Sequence, residues 1–444
     1  DFNAEEGKAS CSMEFDYVNN SDMPQSMLKF HLYPNAFREG AKYPAADPSE
    51  FIITEKGIIY GGIDIVSVKN DGQESGYVID GLDYDILTVP INETYPGEKT
   101  SVSIEFNLKL PAIRHRFGTA EYSVNFGNWY PVLCASDENG WDITPYLDYG
   151  DPFCGETADY KVSVTCPAEY VAAGSGEKDF RTEGGKNHTE YELENIRDFA
   201  LAFSKHYKKL TDSGKYNISY YYYNDRNPGL SLETAVKAVN TFEAFGKYRY
   251  PCFTVAQTGF SEGGMEYGAM VTVTDTLDSE TTQYVIVHET AHQWWYNMVG
   301  NDQVREAFLD EGLTEFSTAY FFELHNEYGS SMDDITYNAK TNMEAYARLA
   351  EKYYGEACFD FRRPLNEYKN PYDYSFSCYT NAMLMFCEAY KEIGREAFIK
   401  ALNNYYENNL FRRATVYELC CSFENYIDLN ALISKYCDFD KNAV

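Results

Sequence analysis

The sequence predicts an α+β protein of two domains, in which an antiparallel β domain precedes a mainly helical domain. The 444 residues are more than one ordinary domain needs. Short apolar runs separated by turn residues fill the first half, whereas helical patterns dominate the second half. The composition changes near Lys208–Lys215. We therefore expect a β domain over residues 1–208 and a second domain over residues 209–444.

The β domain is predicted from period-two alternation. The clearest strand is Ser101–Leu110, where every second residue from Val102 onwards is apolar. Because successive side chains of a strand point to opposite faces, these apolar residues share one face. Further strands are predicted at Phe51–Tyr60, Asp83–Ile91 and Tyr160–Cys166. Many short strands at this spacing are typical of a sandwich or saddle of antiparallel sheets.

The second half begins with one predicted strand, Ile218–Tyr223, and continues with helices. Three helices are predicted: Ser279–Val299, Val304–Tyr328 and a third from Tyr379 to the residue before Gly394. Asp278 or Ser279 can cap the first of them, and Gly300 and Gly329 are stop signals. Trp294 and Trp295, near the end of the first helix, are predicted to be core residues.

Composition excludes several classes of function. The chain has 69 acidic and 37 basic residues and a formal net charge of −32. Such a surface repels phosphate backbones, so nucleic-acid binding and docking on anionic lipid are not expected. No apolar run approaches the roughly 18 residues of a transmembrane helix.

The cysteines and the first residues bear on the compartment. Eleven scattered cysteines form no CxxC motif, which favours buried free thiols over a disulfide framework, although pairing stays open. The sequence starts at Asp1 without a signal peptide or an initiating methionine, so we expect that an upstream segment was removed. The localisation stays open between the cytoplasm and export, and the oligomeric state is unknown.

The chemistry is concentrated in the segment from His288 to His292, which reads His-Glu-Thr-Ala-His. Residues four apart lie on one helical face, so the two imidazoles can reach one metal ion while Glu289 projects beside them. A catalytic zinc site needs a third protein ligand. Glu311 lies 19 positions after His292, on the next predicted helix, and can complete a His₂Glu site with one zinc per chain.

The spacing of His288, His292 and Glu311 resembles the signature of the aminopeptidase N family of zinc metallopeptidases, which are gluzincins. The segment Gly263-Gly264-Met265-Glu266-Tyr267 resembles that family's Gly-x-Met-Glu-Asn segment, with Tyr267 in place of Asn. The stretch from Tyr374 to Ala382 takes the place of the family's Tyr-x-Lys-Gly stretch and departs from it at its last two residues, Asn381 and Ala382. The resemblance spans nearly the whole chain and implies a thermolysin-like catalytic domain.

The resemblance also implies roles for individual residues. Glu289 is the expected general base and Tyr379 the expected hydrogen-bond donor to the oxyanion. The segment Gly263–Glu266 is the expected substrate-binding element, in which Glu266 pairs with the free ammonium of a peptide. The family usually adds a second polar anchor from the β domain, and no residue between Glu121 and Pro131 matches it. Glu315, four positions after Glu311, is either a carboxylate that orients a ligand histidine or part of a solvated helix face.

The function expected from these residues is removal of N-terminal residues from peptides with a free N-terminus. One alternative is an endopeptidase with the same thermolysin-like site, which an ammonium-binding Glu266 would disfavour. Epoxide hydrolysis, known in one branch of the family, has no support in this sequence. A non-enzymatic alternative is a peptide-binding or adhesion protein on an inactivated scaffold. The sequence holds no residues for the helical domain that covers the cleft of longer members, so an open groove is expected.

Overall fold

The computed structural model describes residues 1–137 and 140–438 and contains an antiparallel β-rich region followed by a helical region. The strands are β1 Phe2–Asn3, β2 Lys8–Val18, β3 Gln25–His31, β4 Ile53–Thr54, β5 Gly57–Ile58, β6 Gly62–Asn70, β7 Gln73–Glu74, β8 Val78–Asp80, β9 Ile86–Thr94, β10 Lys99–Lys109, β11 Phe117–Thr119, β12 Val124–Phe126, β13 Val132–Leu133, β14 Ser136–Asp137, β15 Gly140–Trp141, β16 Ala158–Pro167, β17 Val171–Gly174, β18 Glu177–Glu183, β19 Lys186–Ile196, β20 Leu201–Ser204, β21 Lys208–Ser213, β22 Asn217–Tyr222, β23 Cys252–Thr258, β24 Gly264–Tyr267 and β25 Met270–Thr274. The α-helices are α1 Pro228–Phe242, α2 Ser279–Ala291, α3 Glu311–Leu324, α4 Met332–Tyr354, α5 Pro371–Tyr374, α6 Ala382–Ile393, α7 Arg395–Asn409, α8 Val416–Phe423 and α9 Leu429–Cys437.

The first half forms antiparallel sheets, as the alternation predicts. Strand β10 is central in a five-stranded sheet of order β1-β2-β10-β6-β7. Its even-numbered residues from Val102 to Leu108 are buried, whereas its odd-numbered residues are exposed or half-buried. Two four-stranded sheets, β13-β3-β9-β8 and β11-β12-β20-β17, and the three-stranded sheet β16-β19-β18 complete most of this region.

One predicted strand is wrong. The run Phe51–Tyr60 forms two short strands, β4 and β5, that pair with each other rather than one continuous strand. The reason is Gly57, which has a φ of +86° and lets the chain reverse within the run. The other three predicted strands of the β domain are present with boundaries shifted by a few residues.

The second half contains a mixed five-stranded sheet of order β21-β22-β23-β25-β24 with helices against it. Strands β22, β23 and β25 run parallel, and β24 pairs antiparallel with β25 at the edge of the sheet. Helix α2 packs against β24, β25 and α3, and α3 packs against α6. Strand β21 starts this sheet at Lys208, and the division between residues 208 and 209 stays a prediction.

The predicted helices are present, but each is interrupted. The α-helix of Ser279–Val299 ends at Ala291, and a π-helical segment follows over Gln293–Met298, where Trp295 has non-helical backbone angles. The indoles of Trp294 and Trp295 are buried in the core, as predicted.

The helix predicted over Val304–Tyr328 starts only at Glu311, because Asp310 caps it by accepting a hydrogen bond from the Glu311 N–H. The residues before it are held in a turn by the Asp302 carboxylate, which accepts from the backbone of Val304 and Arg305. The third predicted helix is preceded by a π-helical segment over Ser375–Asn381, and Tyr379 lies within that segment.

The cysteines and the helix lengths can be compared with what the composition predicted. All eleven cysteines lie among the described residues and are free thiols, six of them buried. Within the described part of the chain, no helix has the length and apolarity needed to cross a membrane.

Candidate active site

The site is built on α2, whose start is fixed by Asp278. The Asp278 carboxylate accepts a hydrogen bond from the Thr281 N–H and caps the helix. The last turn of α2 carries His288 and Glu289, His292 follows directly as the C-cap, and this end of the helix lies against α3 and the edge strand β24. A helix that packs on two sides at this point buries the polar residues of its last turn together.

Three atoms of possible metal ligands converge between α2 and α3. Nε2 of His288 lies 3.1 Å from Nε2 of His292. Oε2 of Glu311 lies 3.5 Å from Nε2 of His288 and 3.3 Å from Nε2 of His292. The helical spacing thus brings both histidines to one point, and α3 adds the carboxylate at the same point, as predicted from the sequence.

Neighbouring side chains fix which imidazole nitrogens face this point. Nδ1 of His288 lies 3.0 Å from the Glu315 carboxylate, which also accepts a hydrogen bond of 2.6 Å from the Tyr284 hydroxyl. Nδ1 of His292 lies 3.2 Å from the Thr314 hydroxyl. Glu315 therefore lies against His288 rather than on a solvated helix face.

The donor set fits a zinc ion. Two imidazole nitrogens and one carboxylate oxygen are the His₂Glu ligands of catalytic zinc sites. Oε2 of Glu311 is buried and makes no hydrogen bond to any described residue, so it has lost water without gaining a donor there. A buried carboxylate oxygen beside two imidazole nitrogens is stabilised by a cation at their meeting point.

The electrostatics of the site also favour a cation. Against the effect of burial, the imidazoles of His292 and His288 lower the pKa of Glu311 to about 2. Burial raises the pKa of Glu289 to about 8, with the Glu311 and Asp151 carboxylates adding to it and His288 opposing it. Burial also raises the pKa of Glu266 well above its usual range, helped by Asp151 and Glu289. The site concentrates carboxylates, and positive charge stabilises their ionised form.

Glu289 is placed by a glycine on the neighbouring strand. A Cβ atom at Gly264 would lie only 2.5 Å from Oε1 of Glu289, so only glycine lets the carboxylate lie against β24. Oε2 of Glu289 is buried and has no hydrogen-bond partner in the part of the chain that the structure describes. The Gly-rich segment thus gives Glu289 its position, and it leaves one carboxylate oxygen free to accept a proton.

Tyr379 lies at the same point from the side of the π-helical segment. Its hydroxyl donates a hydrogen bond of 2.7 Å to Oε1 of Glu311. Its ring lies parallel to the His288 imidazole, with centroids 6.0 Å apart. The ring of Tyr374 meets Tyr379 edge-on at 5.6 Å. The phenol singled out from the sequence therefore lies beside the candidate metal ligands.

Glu266 lies on β24, next to Gly264 on the same face of the strand. The Glu266 carboxylate is buried and accepts a hydrogen bond of 3.2 Å from Nε2 of Gln303. The same nitrogen donates to Asp310, at 2.7 Å, immediately before the ligand Glu311. Met265 points to the other face of the strand and packs in the hydrophobic core. Gly263 is half-buried beside Val285 of α2.

The sequence reasoning missed Asp151, a carboxylate that the β domain adds to the site. One carboxylate oxygen from each of Asp151, Glu266 and Glu311 lies within 4.8 Å of the others. The buried Arg116 guanidinium donates a hydrogen bond of 2.8 Å to Asp151 and holds it there. The preceding Gly150 has a φ of +69°, and a Cβ there would meet Leu365 at 2.8 Å. No local sequence pattern marks this contact, because the place of Asp151 depends on this packing.

Comparisons with known proteins agree with this geometry. Residues 230–436 match the profile of the peptidase family M1 domain. This match, over just under half of the chain, confirms the resemblance to the aminopeptidase N family.

The chain is similar to a variant of the M1 zinc metallopeptidase from Deinococcus radiodurans, with a TM-score of 0.70 at 15% identity over 99% of this chain and 91% of that one. A related structure of that enzyme holds a Tyr-Ser-Ala substrate and matches with a TM-score of 0.66 at 15% identity, over 97% of this chain and 91% of that one. These matches confirm the fold class, a β domain followed by a helical peptidase domain.

A segment of 105 residues is 30% identical to the puromycin-sensitive aminopeptidase of Caenorhabditis elegans and covers 20% of this chain. This match spans only 11% of that relative's length.

Proposed function

We propose that the protein is a zinc-dependent aminopeptidase that hydrolyses the first peptide bond of peptides with a free N-terminus. The observation that carries the proposal is one buried site with two parts. The metal site consists of His288, His292 and Glu311, and the amine site consists of the Glu266 and Asp151 carboxylates beside it. A metallohydrolase needs the first part, and an exopeptidase also needs the second.

His288, His292 and Glu311 would hold one zinc ion per chain. A zinc ion bound there would supply Lewis-acid polarisation of the scissile carbonyl and activation of a water molecule. Glu315 and Thr314 would keep the two imidazoles oriented while peptides enter and leave. The hydrogen bond from Tyr379 would do the same for the ligand Glu311.

Glu289 is the general base. Its unpartnered oxygen accepts the proton of the attacking water, and the same carboxyl then donates a proton to the leaving amine. Tyr379 is the second electrophilic group, because its hydroxyl can turn from Glu311 to the developing oxyanion. Glu289 therefore acts on the attacking water and the leaving nitrogen, and Tyr379 acts on the carbonyl oxygen.

Glu266 and Asp151 bind the substrate ammonium. Charge-assisted hydrogen bonds from one ammonium to carboxylates on two sides fix the first residue relative to the metal site. A longer chain on the N-terminal side would push an uncharged amide into buried carboxylates, which is costly. This is the reason to prefer an aminopeptidase over an endopeptidase.

The proposal is tested with fluorogenic aminoacyl amides and their N-acetylated counterparts. We expect cleavage of the free-amine substrates, loss of activity with a chelator, and recovery when zinc is added. Elemental analysis should then give one zinc per chain. Comparable cleavage of acetylated peptides at internal bonds would establish an endopeptidase instead, and inactivity of the zinc-loaded protein towards every peptide would favour the binding scaffold.

A further inference from the structure

The hairpin that carries Glu266 has a free edge. Within the described residues, strand β24 is the last strand of its sheet and pairs only with β25. Among the same residues, the Glu266 carboxylate has one hydrogen-bond partner, Gln303. Because the sheet supports this strand on one side only, its position also depends on contacts outside the sheet.

Those contacts are made at the tip of the hairpin, which consists of Gly268 and Ala269. The Gly268 N–H donates to Asp198 at 2.7 Å, and the Gly268 carbonyl accepts from the Ser175 hydroxyl at 2.6 Å. A Cβ atom at Gly268 would lie 2.9 Å from the carbonyl oxygen of Asp198, so the approach is as close as glycine permits. Both side chains belong to the β domain, which thus holds the tip from one side.

The π-helical segment that follows α2 holds the same tip from the other side. Gln293 follows the ligand His292 directly, and its side-chain amide is fully buried. Its Nε2 donates to the Tyr267 carbonyl at 3.0 Å, and its Oε1 accepts from the Ala269 N–H at 2.8 Å. One side chain therefore links the residue after a metal ligand to the residue after Glu266.

The two sides are also joined to each other. Asp198 accepts a second hydrogen bond, of 2.6 Å, from the hydroxyl of Tyr296 in the π-helical segment. Asn297 of that segment donates to Gln293 and accepts from the backbone N–H of Arg197. The interruption of the helix after Ala291 thus has a consequence, because it presents Tyr296 and Asn297 to the β domain.

We propose that Gln293, Asp198 and Ser175 are positioning residues that set the distance between the amine anchor Glu266 and the metal site. The inference rests on the proposed function, in which Glu266 binds the substrate ammonium. These residues do not touch the reacting atoms. They fix the hairpin tip, and Glu266 lies two residues before that tip on a short strand. A shift of about 1 Å in such an anchor is enough to cost roughly a hundredfold in rate.

The test measures an amine-dependence ratio, defined as kcat/KM for an alanyl amide divided by kcat/KM for its des-amino analogue, a propionyl amide. Gln293→Leu removes both hydrogen bonds to the hairpin tip, together with the one from Asn297, at similar side-chain volume, and should lower the ratio about 10- to 100-fold. Ser175→Ala removes one hydrogen bond and should lower it a few-fold. The rate with the propionyl amide and the zinc content should stay at the parent's values in both variants.

The matched control is Thr157→Val. Its hydroxyl donates a hydrogen bond of 3.3 Å to the Phe411 carbonyl, between the same two halves of the chain but not to the hairpin tip. This variant should keep the parent's ratio. Asp198→Asn retains an acceptor for the Gly268 N–H and should lie close to the parent, which separates positioning from charge.

Glu266→Ala separates a failure of the proposed amine anchor from a failure of the proposed positioning role. If Glu266→Ala leaves the ratio unchanged, the proposed amine anchor is wrong. If Glu266→Ala lowers the ratio but Gln293→Leu and Ser175→Ala keep the parent's value, the anchor stands and the positioning role is refuted. Should Gln293→Leu not fold, Ser175→Ala decides alone. The ratio compares two substrates on the same enzyme, so a general loss of stability does not change it.

Discussion

The metal site and the amine site lie side by side, yet they are built in different ways. The ligands His288 and His292 are one helical turn apart, and Glu311 comes from the next helix, so local periodicity supplies most of the metal site. The amine site combines Glu266, on an edge strand, with Asp151, from the other half of the chain. The first depends on spacing along the chain and the second on how the two halves pack. We therefore expect substitutions in the metal site to affect catalysis of every substrate, and those in the amine site to affect only the selection of free amines.

The largest effect is expected for Glu289→Gln. Loss of the general base should lower kcat about 10²- to 10⁴-fold for both the alanyl and the propionyl amide, because both need a proton acceptor. Zinc content should stay at the parent's level. Steady-state kinetics with both substrates checks this, with the exposed Glu280→Gln on the same helix as control. A variant that lost only the free-amine substrate would place Glu289 in the amine site.

Tyr379→Phe should have the next largest effect. Removal of one oxyanion donor typically lowers turnover about 10²- to 10³-fold. Folding and zinc content should persist, since only a hydroxyl that bonds Glu311 is lost. The exposed Tyr372 provides the same substitution away from the site. Turnover within a few-fold of the parent would move the role to Tyr374, whose ring contacts Tyr379.

Asp151→Asn tests the amine site rather than the metal site. The amide keeps the shape and can still accept from Arg116, but it no longer pairs with an ammonium. We expect kcat/KM for the alanyl amide to fall about 10- to 100-fold, because a charge-assisted hydrogen bond is lost. The propionyl amide should be cleaved as before. Exposed Asp148→Asn is the control, and an equal loss for both substrates would mean that Asp151 supports the metal site.

A smaller effect is expected from Glu315→Gln. The carboxylate that orients His288 becomes a neutral amide, and such changes usually weaken zinc binding about 10- to 100-fold. Competition with a chromophoric chelator measures the affinity directly. With saturating zinc, activity should return towards the parent's value. An unchanged affinity would make the 3.0 Å contact between Glu315 and His288 irrelevant to metal binding.

The last prediction concerns stability rather than activity, and it involves His115, which precedes Arg116 in the β domain. Burial, with the Arg116 charge adding to it, lowers the pKa of His115 to about 3. The folded state therefore binds fewer protons than the unfolded chain between that value and the ordinary pKa of about 6.5. Stability should fall as the pH drops through this window, by at most about 1.4 kcal/mol per pH unit from this residue.

Denaturant titrations of the parent and of His115→Gln at several pH values check this slope. The variant should lose less stability on acidification, and exposed His206→Gln should follow the parent. Equal slopes for the parent and His115→Gln would show that His115 is not held neutral.

The difference between local periodicity and the packing of the two halves also explains which parts of the structure could be predicted from the sequence. The convergence of His288, Glu289 and His292 follows from helical spacing, and strand β10 follows from alternation. Glu311 follows from its distance from His292, which resembles that of the aminopeptidase N family. The start of α3 at Glu311 did not follow, because the capping hydrogen bond of Asp310 competes with a helical pattern that continues on both sides. Asp151 did not follow either, because its place depends on the packing of Gly150 against Leu365, which no local pattern encodes.

The central claim is that the metal and the substrate ammonium occupy adjacent and distinct parts of one site. Anomalous diffraction at the zinc edge from crystals of zinc-loaded Glu289→Gln with a free-amine tripeptide tests it most directly. The account predicts one peak bonded to His288, His292 and Glu311, with the tripeptide ammonium between Glu266 and Asp151. Asp151, Glu266 and Glu311 also lie close enough together to hold a metal ion. A zinc peak among those three carboxylates, with the ammonium elsewhere, would contradict the account.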